Sequence, residues 1–177
     1  MSIKQFNATY IKEEDRLLFR FNTSEGTEFR LWLTRLISMS LLATIRHNIQ
    51  TDLERKHSPL TAQVIQEFQE EKIRKTANFH DPYIPASKLP LGADPILVVG
   101  LNILYQDNFF SIAFKLKGNK KLSLKLPIQA IQSLVSLLEQ LEVKAQWTSA
   151  IILPPMKADS ITDSPEKNSL DAMKIIH

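Results

Sequence analysis

The sequence predicts an α+β fold in which a unit of three strands and one helix occurs twice. Apolar and polar residues alternate along several short stretches, which is the pattern of a strand with one buried face. After the third stretch of each unit, the apolar spacing changes to the period of a helix. Residues 6–45 also match residues 99–138 without a gap at an offset of 93. Together these observations predict a duplicated βββα unit whose antiparallel sheets pack on helices.

The match between the units lies in apolar positions and polar breaks, and few residues are identical. Phe21 corresponds to Phe114 and Leu31 to Leu124, and polar turns fall at matching places. Periodic patterns also align by chance, so two explanations remain open. One is a true duplication with pseudo-two-fold symmetry, and the other is a coincidental similarity between two amphipathic segments.

Alternation and turn residues place the individual elements. Thr34 is predicted to cap the first helix. Pro127 is predicted to occupy the first position of the last helix, where its missing N–H costs nothing. The predicted strands are residues 6–11, 16–22 and 28–33 in the first unit, and 97–105, 110–117 and 121–126 in the second.

The region between the units, residues 56–95, is predicted to be a crossover that is first helical and then proline-rich. The helix is predicted over 61–77. Four prolines follow and oppose regular structure, so this part is either an ordered crossover or a flexible loop. Residues 1–154 are predicted to form a single domain around one core, and residues 155–177 a flexible C-terminal tail.

Composition excludes several classes of protein. The chain has 177 residues, of which 44% are hydrophobic, and this is enough to bury a core and excludes wholesale disorder. No apolar stretch reaches the roughly 20 residues that a spanning helix needs. The N-terminus has no apolar signal region, so a cytoplasmic location is expected. With no cysteine there is no disulfide framework and no thiolate nucleophile.

The net charge of +3 is concentrated in one place. Residues 99–138 carry five lysines and one acid, Asp107, whereas residues 6–45 carry five basic and five acidic residues. Because side chains alternate along a strand, the charged ones point away from the apolar face. The candidate binding residues on this outer face are Arg16, Arg20, Arg30 and Trp32 in the first unit, and Lys115, Lys117, Lys121 and Lys125 in the second.

Two functions are compatible with this surface. The first is a non-catalytic module that binds single-stranded nucleic acid, DNA or RNA, because cations contact phosphates and aromatic rings stack on bases. The second is a protein-interaction or assembly module, in which helices or the C-terminal tail contact a partner and the basic face only confers solubility. The position of Trp32 would discriminate them: exposed beside the arginines it favours the first, and buried under the crossover it favours the second.

A duplicated three-strand-plus-helix unit with basic outer sheet faces resembles the fold group of the single-stranded-DNA-binding transcriptional coactivators and the Whirly proteins. The resemblance covers residues 6–141 and lies in topology and surface chemistry. It implies a Whirly-like fold and DNA binding. The basic run at 117–121 is similar to a Lys-Gly-Lys element of Whirly proteins, but it lies in a hairpin turn, so no binding residue is transferred from it. Residues 28–35 are similar to a stretch in uncharacterised proteobacterial proteins, which suggests a bacterial origin.

The sequence contains none of the common motifs for catalysis or metal binding, and no enzyme activity, metal or cofactor is expected. The four histidines are not paired at zinc spacing with one another. The sequence has neither a phosphate-binding glycine loop nor a Gly-x-Ser-x-Gly motif. Its adjacent carboxylates lie in a turn or on a helix with nearby lysines, which is typical of a solvated surface.

Overall fold

The computed structural model describes residues 2–76 and 82–147, and the α+β class is confirmed in them. The predicted tail at 155–177 lies outside the described residues. Within the described residues, no helix combines the length and the apolar composition needed to cross a bilayer. The strands and helices are β1 (Ile3–Ile11), β2 (Arg16–Thr23), β3 (Glu28–Thr34), α1 (Arg35–Lys56), α2 (Pro59–Thr76), β4 (Ile96–Gln106), β5 (Phe109–Leu116), β6 (Lys121–Pro127) and α3 (Ile128–Ala145).

The strands of the described residues form one sheet in the order β1 to β6. Neighbouring strands are antiparallel except β3 and β4, which run parallel. In this described region the joint between them, which we call the seam, pairs Leu31 with Ile96 and Trp32 with Leu97. The carboxyl end of β3 therefore meets the amino end of β4, and the two halves are displaced along the strand direction. The expectation of separate antiparallel sheets is wrong, since the halves join edge to edge in one sheet.

The helix boundaries follow from local capping. Thr34 caps α1 as predicted, because its Oγ1 accepts a hydrogen bond of 3.3 Å from the Ile37 N–H. Pro127 is the N-cap of α3, one position earlier than predicted, and the helix starts at Ile128. At the other end of α3, Gln146 adopts a left-handed conformation with φ 56°, which ends the helix.

The core lies between one face of the sheet and the helices. Phe21, Leu31, Phe114 and Leu124 are all buried there, and they fall at equivalent places in the two halves. Burying such a side chain contributes roughly 1.5–3 kcal/mol to stability. Alternation along the strands places these residues on the inner face and the charged residues on the outer face, as the sequence predicts.

Helices α1 and α3 each pack on the opposite half of the sheet. Helix α1 follows β3, yet the strand it contacts most is β4, and α3 follows β6 but contacts β1 most. The two helices also contact each other, and there the Arg46 Nε donates a 3.1 Å hydrogen bond to the Glu139 Oε1. The halves are therefore held together largely by exchanged helices, and the seam adds little backbone pairing.

The two halves share an irregularity in their first strands. A bulge precedes Gln5 in β1 and Gly100 in β4. Gln5 is paired with Asn22 and Gly100 with Lys115, so the first strands correspond at an offset of 95 (100 − 5) and their partners at 93 (115 − 22). The turn after β1 is two residues longer than the turn after β4, which explains the difference. The gapless match at 93 is therefore wrong for the first strand and holds for the later ones.

The turns that follow the first strands also have the same local geometry. In the first half, the Tyr10 hydroxyl donates to Asp15 Oδ1 at 3.1 Å. In the second half, the Tyr105 hydroxyl lies 3.2 Å from Asn108 Oδ1 and shares its one proton between that oxygen and Asp52 Oδ2. Asp15 and Asn108 both adopt positive φ values, 45° and 64°. Aspartate and asparagine tolerate the left-handed region better than most residues, so both turns have a residue suited to the positive φ at this position.

Trp147 attaches the end of α3 to the turn after β1. Its side chain is buried, and the indole N–H donates a 2.6 Å hydrogen bond to Asp15 Oδ1. Tyr10 meets the indole edge-on, with ring centroids 5.7 Å apart. The Arg35 Nη2 donates to the Trp147 carbonyl at 2.6 Å, which ties the start of α1 to the same place.

Replacing Asp15 with alanine is expected to lower the free energy of unfolding by about 1–3 kcal/mol, because the buried indole N–H would lose its acceptor. The matched control is Asp15→Asn, which retains an acceptor oxygen and the tolerance for positive φ. Urea unfolding of the three proteins would measure this effect. An Asp15→Asn protein as unstable as Asp15→Ala would contradict the role assigned to the hydrogen bond.

Candidate functional site

Residues 82–95, which we call the crossover segment, lie across the outer face of β1–β3. The Asn22 Nδ2 donates a 2.7 Å hydrogen bond to the Ile84 carbonyl. The Ala86 N–H donates to Glu28 Oε2 at 2.8 Å, and the Glu28 N–H donates to the Lys88 carbonyl at 2.8 Å. Of the two alternatives for the proline-rich region, an ordered crossover is therefore correct for these residues. The outer face of the first half is covered at the end where Asn22 and Glu28 lie.

Two predicted binding residues, Arg20 and Arg30, lie on the outer face but are already bonded. The Arg20 guanidinium stacks on the Tyr83 ring at 4.7 Å and donates to Asn7 Oδ1 at 2.9 Å. The Arg30 Nε pairs with Glu28 Oε1 at 2.7 Å, and its Nη1 donates to a carbonyl of the crossover segment. Both arginines therefore contact the crossover segment on the outer face, and their role in binding stays a prediction.

Glu28 is the buried acid at the centre of this attachment, with 1% of its surface exposed. Burial alone would raise the pKa of its carboxyl. Hydrogen bonds from Arg30 and from the Ala86 backbone, together with the charges of Arg30 and Arg20, lower the pKa below its ordinary value. The carboxylate is thus the charged form that the folded protein favours.

The pH dependence of stability follows from this lowered pKa. The group binds a proton more readily in the unfolded chain, so its contribution is complete above the unfolded pKa and disappears as the pH falls through the folded pKa. At neutral pH, Glu28→Gln is expected to cost about 1–3 kcal/mol. Unfolding in urea between about pH 7 and pH 3 should show this difference shrinking as the acid titrates. A difference that stays constant over the range would contradict it.

The outer face of β4–β6 is not covered by the crossover segment. Lys115 and Lys121 lie directly opposite each other on β5 and β6, and Lys125 follows on β6. The residues between them are small and polar or small and apolar, which makes the surface flat. We call this surface the open face; its outward residues are Gly100, Asn102, Leu104, Phe109, Ser111, Ala113, Lys115, Lys121, Ser123 and Lys125.

The lysines on and beside the open face are exposed and unneutralised. The side chains of Lys115, Lys117 and Lys121 form no ion pair with any residue in the described part of the chain. Lys115 opposite Lys121 is a like-charge pair, which destabilises a sheet. Their strand partners include no acid, so this surface attracts anions.

A shallow groove of about 500 Å³ opens at the seam, beside the open face. Trp32 lines it, and the Arg16 guanidinium lies 3.9 Å from the Trp32 ring centroid. Arg16 also pairs with Glu14. We call it the seam groove; its lining residues are Arg16, Trp32, Pro95, Ile96, Leu97, Lys117, Gly118 and Lys120.

The seam groove brings together three of the predicted residues, Arg16, Trp32 and Lys117, from the two halves of the chain. It adds Lys120, which sequence reasoning did not select. Lys120 lies in the turn between β5 and β6, outside the alternation that was used to choose outward residues. The basic run at 117–121 was the signal that could have identified it.

An aromatic ring and a cation also meet at the equivalent place in the second half. Lys125 Nζ lies 4.9 Å from the centroid of the Phe109 ring, which is 40% exposed. At the offset of 93, Phe109 corresponds to Arg16, and Lys125 corresponds to Trp32. The cation and the ring have exchanged strands, but both halves place a cation–aromatic pair at this position of the outer face.

The opposite end of the sheet carries a second polar depression, of about 460 Å³. There Asp52 Oδ2 accepts hydrogen bonds from Lys56 Nζ at 2.7 Å and from the Tyr105 hydroxyl at 3.1 Å. Burial, and then the hydrogen bond to Asp52, raise the pKa of Tyr105. Lys56 and Asp52 neutralise each other, and Arg55 and Asp107 add one charge of each sign to the lining. The charges of this depression therefore balance, whereas the lining of the seam groove contains cations and no acid. Among the residues that the structure describes, no three His, Asp or Glu side chains come together as a metal site would require.

Comparison with known proteins adds no assignment. No protein-family model, curated protein or solved structure matches the chain. The interpretation of the open face and the seam groove therefore depends on the chemistry of their own residues.

Proposed function

We propose that the protein is a non-catalytic module that binds single-stranded nucleic acid on the open face. The observation that carries this proposal is the set of unneutralised lysines on the uncovered half of the sheet, with Phe109 and Trp32 at its borders. Lysines attract the phosphates, and exposed rings provide surfaces on which bases stack. Both components that single-strand binding requires are thus adjacent.

The shape of the open face favours a single strand over a duplex. A duplex groove is read by a helix or a ribbon that protrudes into it, and this surface is a flat sheet with small central residues. An unpaired strand can instead lie along the sheet and turn its bases toward Phe109 or Trp32. The half-buried Trp32 is compatible with this arrangement, because it lines the seam groove and is not enclosed by the crossover segment.

Fluorescence anisotropy with a labelled single-stranded oligonucleotide of about 20 nucleotides tests the proposal. Binding is expected to weaken with salt, with a slope in log K against log salt of about −0.7 for each phosphate contacted. A duplex of the same sequence is the control and should bind more weakly at each salt concentration. Absence of binding at low salt, or equal affinity for the duplex, would contradict the proposal.

We also propose that the two halves arose by duplication and that the fold is Whirly-like with pseudo-two-fold symmetry. Three observations support this: the bulges at equivalent positions of β1 and β4, the matching tyrosine turns, and the reciprocal packing of α1 and α3 on the opposite halves. Chance similarity of two amphipathic patterns would not place bulges at the same register. Single-strand binding by that fold group is consistent with the function proposed above.

A protein-interaction role is the second candidate, and helix α2 favours it. Leu60, Val64 and Phe68 follow one another at four-residue intervals along α2 and are 75%, 58% and 67% exposed. Such a row of large apolar side chains is typical of a helix that contacts a partner. Light scattering after size exclusion, with the full chain and with Val64→Glu, would test self-association. A monomer in both cases would exclude a second copy as the partner.

A further inference from the structure

The seam groove differs from the open face in that it is a shallow concave site lined by both halves of the chain. Its walls come from both halves: Arg16 and Trp32 from the first, and Lys117 and Lys120 from the second. Its volume of about 500 Å³ is within the range of small-ligand sites. The groove is therefore large enough for one nucleotide.

The lining of the groove has two chemically distinct sides. The aromatic and apolar side is formed by the Trp32 ring, which the Arg16 guanidinium contacts 3.9 Å from its centroid, with Ile96 and Leu97. The cationic side is formed by Lys117 and Lys120, which flank the turn at Gly118. Gly118 has φ 81°, a conformation that disfavours a side chain, which explains glycine at this position of the turn. A base fits the first side and a phosphate fits the second.

The surroundings of the groove include the crossover segment. Pro95, the last residue of the crossover segment, forms one wall. Next to it, the Ala93 carbonyl of the crossover segment accepts a 3.1 Å hydrogen bond from Arg30 Nη1, two residues from Trp32 on the same face of β3. A strand that lies on the open face and reaches Trp32 therefore meets the crossover segment on the Arg30 side of the groove.

We propose that the seam groove binds the phosphorylated end of a single strand, with the terminal base against Trp32 and the terminal phosphate between Lys117 and Lys120. This inference rests on the proposed function, because it assigns the strand end to a subsite of the same surface. A terminal phosphate carries more negative charge than an internal one and is held more strongly by two lysines.

The experiment compares three otherwise identical labelled oligonucleotides: one with a 5′-phosphate, one with a 3′-phosphate and one with hydroxyl groups at both ends. One phosphorylated form is expected to bind about tenfold more tightly than the hydroxyl form. In the Lys117→Gln/Lys120→Gln protein this ratio should fall to about one. The matched control, Lys121→Gln/Lys125→Gln, removes the same charge from the open face; it should weaken all three and leave the ratio unchanged.

The outcomes separate this inference from the proposed function. Equal binding of all three oligonucleotides by the wild-type protein would overturn the strand-end site and leave the open-face function intact. No binding of any oligonucleotide would overturn both. Competition with a nucleoside monophosphate distinguishes a strand end from a free nucleotide as the source of the phosphate. If the free nucleotide competed for the groove as strongly as an unlabelled 5′- or 3′-phosphorylated oligonucleotide, the strand-end assignment would be overturned.

Discussion

Replacing Lys115, Lys117, Lys121 and Lys125 with glutamine is expected to reduce affinity for single-stranded DNA by at least about a hundredfold at low salt. Each lysine that contacts a phosphate releases counterions, and each contributes about 0.7 to the salt slope for a single strand. Loss of four such contacts should therefore reduce the slope by about 2 to 3. Anisotropy titrations at several salt concentrations give both quantities.

The matched control for this variant changes the same number of charges elsewhere. Lys4, Lys12, Lys88 and Lys144 are exposed and lie outside both the open face and the seam groove. Their replacement by glutamine gives the same net charge but should reduce affinity far less. If the two quadruple variants lost affinity equally, attraction would come from the total charge of the molecule and the open face would have no special role.

Replacing Phe114 with alanine is expected to lower the free energy of unfolding by about 3–5 kcal/mol. Its side chain is 1% exposed and lies in the core that the second half shares with the helices. Truncation removes the transfer free energy of the ring and leaves a cavity that close-packed neighbours fill only in part. Phe21, the equivalent residue in the first half, should show a loss of similar size.

Phe109→Ala is the matched control for the core variants, because this ring lies on the outer face of the same strand and is 40% exposed. It should cost about 1 kcal/mol or less. Urea unfolding followed by circular dichroism measures all three proteins. A Phe114→Ala protein that unfolds at the same urea concentration as Phe109→Ala would show that this part of the core is not closely packed.

Local sequence patterns predicted the elements well, because their physical causes are local. The alternation around Phe19, and around its counterpart Ile112 in the second half, places β2 and β5 within a residue or so of their observed limits. Thr34 was identified as a cap because a hydroxyl satisfies a free N–H in the first turn. The outward direction of the lysines followed from the period of a strand.

The arrangement of these elements depends on contacts that no local pattern contains. Helix α1 ends at Lys56 but packs on a strand that starts only at Ile96, and periodicity does not specify that partner. The covering of Arg20 by Tyr83 was not predictable for the same reason, since prolines report only that regular structure ends. Lys120 was missed because a turn has no alternation to indicate its direction.

Because each half of the sheet is packed by the helix of the other half, neither half contains all the contacts that it needs to fold alone. A chain that ended after α1 would contain β1–β3 and α1 only. The turn after β1 would lack its contact with Trp147, and α1 would lack β4, the strand that it contacts most. On the proposed equivalence of the two halves, two such chains would complete one another, and their stability would then rise and fall with protein concentration. Joining both units in one chain makes folding a first-order event, independent of dilution.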